Sequence, residues 1–275
     1  MVVLVHGFNV PADTYEFQIE KARRAVLSNS VARAAMGDPP VFLQVAWDGM
    51  EGDGGIPRTA WGRAQYTAPV IGLELRRLLA AVDSAAPVRV IAHSLGALVV
   101  GNALWNASGV FGNLRDSVFR AYHARVSGID STGYHFPPHT NIRVGLIAPA
   151  TSAKIFKKYA TAPESSARID RIVVGVNRHD RVTNKFFGAA GFGGATTLGA
   201  NPKELCRAMF AYYPATLRGK ARLVDMQVPA PNYHKEEHSW VSYSEKEAQK
   251  QFLYLLFAAD SATPGDEVRR CPQVR

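Results

Sequence analysis

No apolar stretch in these 275 residues approaches the roughly 18 to 20 consecutive residues that a membrane-spanning helix needs, which excludes a helical membrane bundle. The opening Met1-Val2-Val3-Leu4-Val5-His6-Gly7 is apolar, but it is too short for the core of a secretory leader and lacks a basic flank, so it reads as a strand. Cysteine is scarce. Cys206 and Cys271 stand alone with no C-x-x-C, which rules out a disulfide framework and leaves room for one bridge at most. These absences favour a cytoplasmic protein. Runs of like charge are also missing: a net charge of +9, from 32 Lys and Arg against 23 Asp and Glu, is scattered with no block of five basic residues. With no zinc-finger or RRM signature either, nucleic acid is not an expected partner; the basic surface would suit peripheral contact with an anionic membrane. No G-x-x-x-x-G-K-[ST] occurs and no G-x-G-x-x-G follows a strand, which argues against nucleotide binding. Repeats and linkers are absent as well, and residues 1–275 read as a single domain.

What is present is an alternation of short β-branched runs with longer helical stretches, the pattern of βαβ units around a mostly parallel sheet with helices on both faces. The expected strands are Val2–Val5, Val41–Ala46, Val88–Ala92, Arg143–Ile147, Arg171–Val176 and Ala221–Gln227, apolar enough to be buried on both sides. Helices are expected near 13–36, 59–84, 95–107, 152–160, 203–213 and 244–259. Two segments break the alternation. Residues 108–142 are rich in Gly, Arg and Pro, and residues 185–202 contain five glycines; loops of this length in compact domains are often lids or binding loops.

The strongest local signal is Val88-Arg89-Val90-Ile91-Ala92-His93-Ser94-Leu95-Gly96-Ala97, a buried strand running through small-x-Ser-x-Gly into an apolar helix. A serine on so tight a turn needs small residues two places before and two after it, which Ala92 and Gly96 provide. The turn would lift the Ser94 hydroxyl above the sheet, at a helix N-terminus that favours developing negative charge. A hydrolytic serine also needs two backbone N–H donors for the tetrahedral oxyanion. The residue after the nucleophile, Leu95, would give one, and Phe8, in the loop after the strand ending His6-Gly7, the other. Gly7 would allow close approach of the backbone, and His6 reads as a hydrogen-bonding residue of that loop.

Taken together, His6-Gly7-Phe8-Asn9 and Ala92-His93-Ser94-Leu95-Gly96 resemble the α/β-hydrolases, and the likeness extends over most of the chain. Leu4-Val5-His6-Gly7-Phe8-Asn9 is similar to the opening of a bacterial branch once grouped as hydrolases of unknown function. The resemblance implies a three-layer α/β-hydrolase-like sandwich. The first two family strands are missing, which leaves a reduced sheet of about six strands. It also implies the order Ser, acid, His. The acid should follow a strand, and Asp180, in the loop after Arg171–Val176, fits. Asp170 lies before that strand, Asp225 inside the last one, and the loop after Ile147 offers Thr151 and Ser152 but no carboxylate.

For the base, His234 and His238 compete; His238 is preferred because His238-Ser239-Trp240 shortly precedes the final helix, as in many relatives. The expected reaction is hydrolysis of a carboxylic ester, the commonest chemistry of this constellation, through an acyl-enzyme and without metal or organic cofactor. Substrates would be small-molecule or lipid esters, with Phe111, Phe186, Phe187, Phe192 and Phe210 as candidates for an acyl pocket. A lipase or phospholipase working at a membrane is the alternative within this class. Two rivals come from other classes. His234-x-x-Glu237-His238 matches a zinc-peptidase pattern, although Pro229, Pro231 and Asn232 upstream argue against the helix it needs. The other is a non-catalytic interaction protein built on the same fold.

Overall fold

The computed structural model describes residues 1–8, 12–47, 57–105, 141–151, 155, 169–180, 182–183, 199, 206–207, 221–226, 238–244, 247–259 and 268–269. Within them an α/β fold is built on strands β1 (Val2–Val5), β2 (Phe42–Val45), β3 (Val88–His93), β4 (Ile142–Ile147), β5 (Ile169–Val176), β6 (Ala221–Asp225) and β7 (Val268–Arg269). The sheet order is β2-β1-β3-β4-β5-β6-β7. The first six strands are mutually parallel, and the two-residue β7 pairs antiparallel with β6. The expected six strands are therefore present, with an edge strand that no periodicity announced.

The helices are α1 (Ala12–Ser28), α2 (Ser30–Ala35), α3 (Pro57–Ala80), α4 (Gly96–Trp105), α5 (Trp240–Ser244) and α6 (Glu247–Phe257). The stretch expected as one helix over 13–36 is two. Asn29 takes an extended conformation between them, and its side chain accepts from the Ala32 N–H, so the second helix has its own N-cap. The helices expected at 152–160 and 203–213 fall almost wholly outside the described residues, as do the two long loops and all five phenylalanines of the suggested acyl pocket.

Strand side chains alternate between two apolar clusters, the period-two consequence of the pleat. Val3, Val5, Val90, Ala92, Val144 and Val174 pack with Ala64, Ala68, Leu75 and Leu79 of α3 and with the wholly buried α4. Val2, Leu4, Ile91, Ile147, Val173 and Val224 pack with residues of α1, α2, α5 and α6, including Ile19, Tyr243 and Phe252. The sheet thus carries helices on each face. Burying a large aliphatic or aromatic side chain contributes about 1.5–3 kcal/mol, and the central strands β3 and β4 are buried along their whole length. Cys206 belongs to the first cluster and is disulfide-bonded, a bond that oxidising compartments favour. The other cysteine of the chain, Cys271, lies outside the described residues.

Each end of the sheet has its own polar row. At the N-terminal ends Arg89, Arg143 and Arg171 are register partners on β3, β4 and β5, all buried. Arg143 donates to Asp170 at 2.7 Å and to the carbonyls of Leu256 and Ala258; Arg171 donates to Leu255 O at 2.5 Å and Ala258 O at 3.2 Å. These carbonyls close α6, where a helix leaves acceptors unsatisfied and its dipole favours cations. Asp170, expected just before β5, is inside it and is occupied by Arg143. At the C-terminal ends the strand order reverses beside β1: β2 lies on one side and β3 on the other. Such a switch point opens a crevice outside the strand ends, the usual ligand position in parallel α/β sheets.

Candidate functional site

Gly7 and Ser94 sit at that switch point, just past the ends of β1 and β3. Ser94 has φ 52°, a left-handed conformation rare for a residue with a Cβ and costing about 1–3 kcal/mol. Its surroundings enforce it. The Ser94 N–H donates to Ile147 O at 3.0 Å, and its carbonyl accepts from Ala150 N at 3.0 Å and Ala97 N at 3.2 Å. A Cβ on Gly96 would lie 2.5 Å from His6 O, and one on Gly7 would lie 2.7 Å from the Ser94 Cβ, so neither position tolerates a larger residue without movement. Ala148, at the end of β4, has φ 41° and is the second such residue among those described.

Asp180 arrives through a turn shaped by Asn177. The Asp180 N–H donates to Asn177 O at 3.3 Å, and His179 N donates to the Asn177 side-chain oxygen at 3.0 Å, a local bond that lets asparagine start turns. His238 immediately precedes Ser239, whose hydroxyl accepts from Ser242 N at 3.1 Å and caps α5.

The structure brings Ser94, His238 and Asp180 into one hydrogen-bonded line. His238 Nδ1 lies 2.5 Å from Asp180 Oδ2, and Nε2 lies 2.7 Å from Ser94 Oγ. A carboxylate only accepts, so Nδ1 carries the proton, and Nε2 is left to accept from the serine hydroxyl. Asp180 is fully buried. Burial alone would raise its carboxyl pKa, but the facing His238, hydrogen bonds from His238 and Tyr243, and the Thr183 N–H outweigh it and hold the group below its ordinary value. Oδ1 accepts from Val182 N at 2.8 Å and Thr183 N at 3.2 Å; Oδ2 also accepts from the Tyr243 hydroxyl at 2.8 Å. His234, the competing base, lies outside the described residues.

Two further histidines line the site, both buried. His6 donates through Nδ1 to Gly7 O at 2.8 Å, accepts through Nε2 from Trp47 N at 3.1 Å, and stacks on the Trp47 ring. This fixes the Gly7 carbonyl, and because a trans peptide sets C=O and N–H in opposite directions, it also aims the Phe8 N–H away from His6. Burial lowers the His6 pKa, against its bonds to Gly7 and Trp47. The His93 ring lies 4.9 Å from that of His238. Burial first, and then the neighbouring His238, hold it well below the usual histidine value, so it is neutral at ordinary pH.

Sequence reasoning passed over Tyr243, Asn177 and the placement of His93. A tyrosine on a five-residue helix reads as core, and His93 had its Ser94 neighbour as the only signal. Among the described residues no cluster of three His, Cys, Asp or Glu could hold a metal ion, and no helix is long and apolar enough to cross a membrane. Comparison of the chain with protein-family models, with curated proteins and with solved structures yields no match.

Proposed function

We propose that this chain is a serine hydrolase of the α/β-hydrolase type, cleaving carboxylic ester-like bonds through a Ser94–His238–Asp180 triad. One observation carries the reading: an unbroken hydrogen-bonded line from a buried carboxylate through an imidazole to the hydroxyl of a serine held at φ 52° between a strand and a helix. That turn has the form of a nucleophile elbow. Its place at the strand-order reversal supports the same reading, as does the close approach of Gly7. The finer fold, a hydrolase-like three-layer sandwich, belongs to this proposal.

In this mechanism Ser94 Oγ passes its proton to His238 Nε2 while attacking the ester carbonyl carbon. The N–H groups of Leu95 and Phe8 receive the negative charge on the carbonyl oxygen. Collapse expels the alcohol, which takes the proton from His238, and leaves an acyl-serine. Water then attacks with His238 as base; the acid departs and Ser94 regains its proton. Asp180 stays ionised throughout and fixes the imidazole tautomer. With Nδ1 and Nε2 both engaged, His238 has no free nitrogen for zinc, which weighs against the peptidase pattern. Because the base must be neutral, the rate should rise with pH.

The test is labelling with a fluorophosphonate followed by peptide mass mapping. Modification at Ser94 that is absent in Ser94→Ala and unaffected by chelator is the expected outcome. Folded protein that takes no label and hydrolyses no p-nitrophenyl ester would overturn the reading in favour of a non-catalytic scaffold.

A further inference from the structure

Asp180 Oδ2 serves two donors, His238 Nδ1 and the Tyr243 hydroxyl. Tyr243 is fully buried, and so is Asn177, whose side-chain amide donates to the Tyr243 oxygen at 3.1 Å. The direction of this chain is fixed by chemistry. The Asn177 side-chain oxygen is occupied by the His179 N–H, so the amide turns its NH₂ toward Tyr243. The phenol therefore accepts from Asn177 and donates to the carboxylate, which can only accept. A hydroxyl that accepts one hydrogen bond becomes a stronger donor in the next. Among the described residues Asp180 accepts four hydrogen bonds, two on each oxygen, about the full capacity of a carboxylate.

We infer that Tyr243, oriented by Asn177, is a positioning residue that acts on His238 through Asp180: it shares Oδ2 with the imidazole and thereby sets how strongly the carboxylate holds the Nδ1 proton. Without the phenol, Oδ2 concentrates its charge on one donor, holds that proton more tightly and stabilises the protonated ring. Tyr243 lies on α5, five residues beyond His238, which immediately precedes the capping Ser239, so one short segment supplies both donors to the same carboxylate oxygen. Other titratable or charged groups around the pair are His93 on β3, with its ring 4.9 Å from His238, and His6 beyond it; Arg178 and His179 are exposed on Asp180's own loop. His93 and His6 are neutral in the working range, so neither supplies this adjustment.

The inference rests on the hydrolase reading for its effect on rate, so the experiment carries one readout that needs no turnover. Full-length wild type and Tyr243→Phe are compared by hydrolysis of p-nitrophenyl acetate across pH and by the proton NMR resonance of His238 Nδ1–H. Expected in Tyr243→Phe are a further downfield Nδ1 proton, a rising limb displaced upward by about half a pH unit, and kcat reduced about tenfold with KM unchanged. Tyr243→3-fluorotyrosine, a stronger donor of the same shape, should move the resonance and the limb the opposite way and guards against a mere packing effect of the first variant. An unmoved resonance in both folded variants overturns the inference. So does a fall in kcat with the limb unmoved, which is the mark of a purely structural tyrosine. A wild type that turns over no ester and takes no fluorophosphonate sinks the hydrolase reading instead, and the resonance still decides the coupling.

Discussion

The two ends of the parallel strands are polar in different ways. At the N-terminal ends, buried Arg143 and Arg171 donate to carbonyls at the close of α6, with Asp170 as counter-charge, so these contacts finish on helix-end carbonyls and a carboxylate. At the C-terminal ends the hydrogen bonds run from Asn177 through Tyr243, Asp180 and His238 and finish on a serine hydroxyl at a strained turn. Buried polarity by itself therefore does not distinguish a site from a brace. The distinguishing marks are backbone strain and a hydrogen-bonded chain that has a serine hydroxyl at one end.

The largest expected effect separates the two ends most sharply. Ser94→Gly removes both the hydroxyl and the Cβ that makes φ 52° costly. Ester hydrolysis should fall by about four orders of magnitude, while unfolding by urea shows the variant to be more stable by about 1 kcal/mol. A stability loss there would mean that the turn is a structural feature after all. The opposite signature belongs to Arg143→Met, which removes the ion pair with Asp170 and the Arg143 bonds to the Leu256 and Ala258 carbonyls: a loss of about 3 kcal/mol in urea unfolding, with fluorophosphonate labelling of the folded protein unchanged. Slower labelling would show that the ends are coupled.

The smallest effect is acid sensitivity. His6 and His93 have lowered pKa values in the folded chain, so below about pH 6.5, the ordinary histidine value, the unfolded chain binds more protons than the folded one. Their stabilising contribution is complete above that pH and declines as pH falls toward the folded values. The depressed Asp180 acts lower, holding its contribution above about pH 4 and losing it only as pH drops through its folded value. Urea midpoints measured from pH 8 to 5 should therefore decline below about 6.5, less steeply in His93→Phe and with unchanged slope in Arg143→Met. A wild-type midpoint flat over this range would contradict the assignment of both histidines as buried and neutral.

How much of this could be read in advance depended on range. The Ser94 turn was legible because its signal is contiguous: a buried strand, small residues at 92 and 96, then an apolar helix. Asp180 was legible as the carboxylate following a strand. His238 could only be ranked above His234, because its partners lie 58 and 144 residues away and no local pattern encodes such pairings. Tyr243 left no trace beyond an aromatic near a helix start. The arginine row was legible and was passed over: Val88-Arg89-Val90, Ile142-Arg143-Val144 and Asp170-Arg171-Ile172 each place an arginine near the start of an apolar strand, and parallel register lines them up. The break at Asn29 was missed because a strong capping residue interrupts an otherwise continuous helical pattern.

Because the line from Ser94 to Asp180 is closed by a residue at position 238, it has a consequence for biosynthesis. A chain still emerging from the ribosome can complete β1, β3 and the Ser94 turn long before an imidazole exists to take the serine's proton. On the proposed hydrolase reading, competence would then arrive in a single late step, when the segment that begins at His238 docks against β5 and α1, and it would certify that nearly the whole sheet has already been laid down.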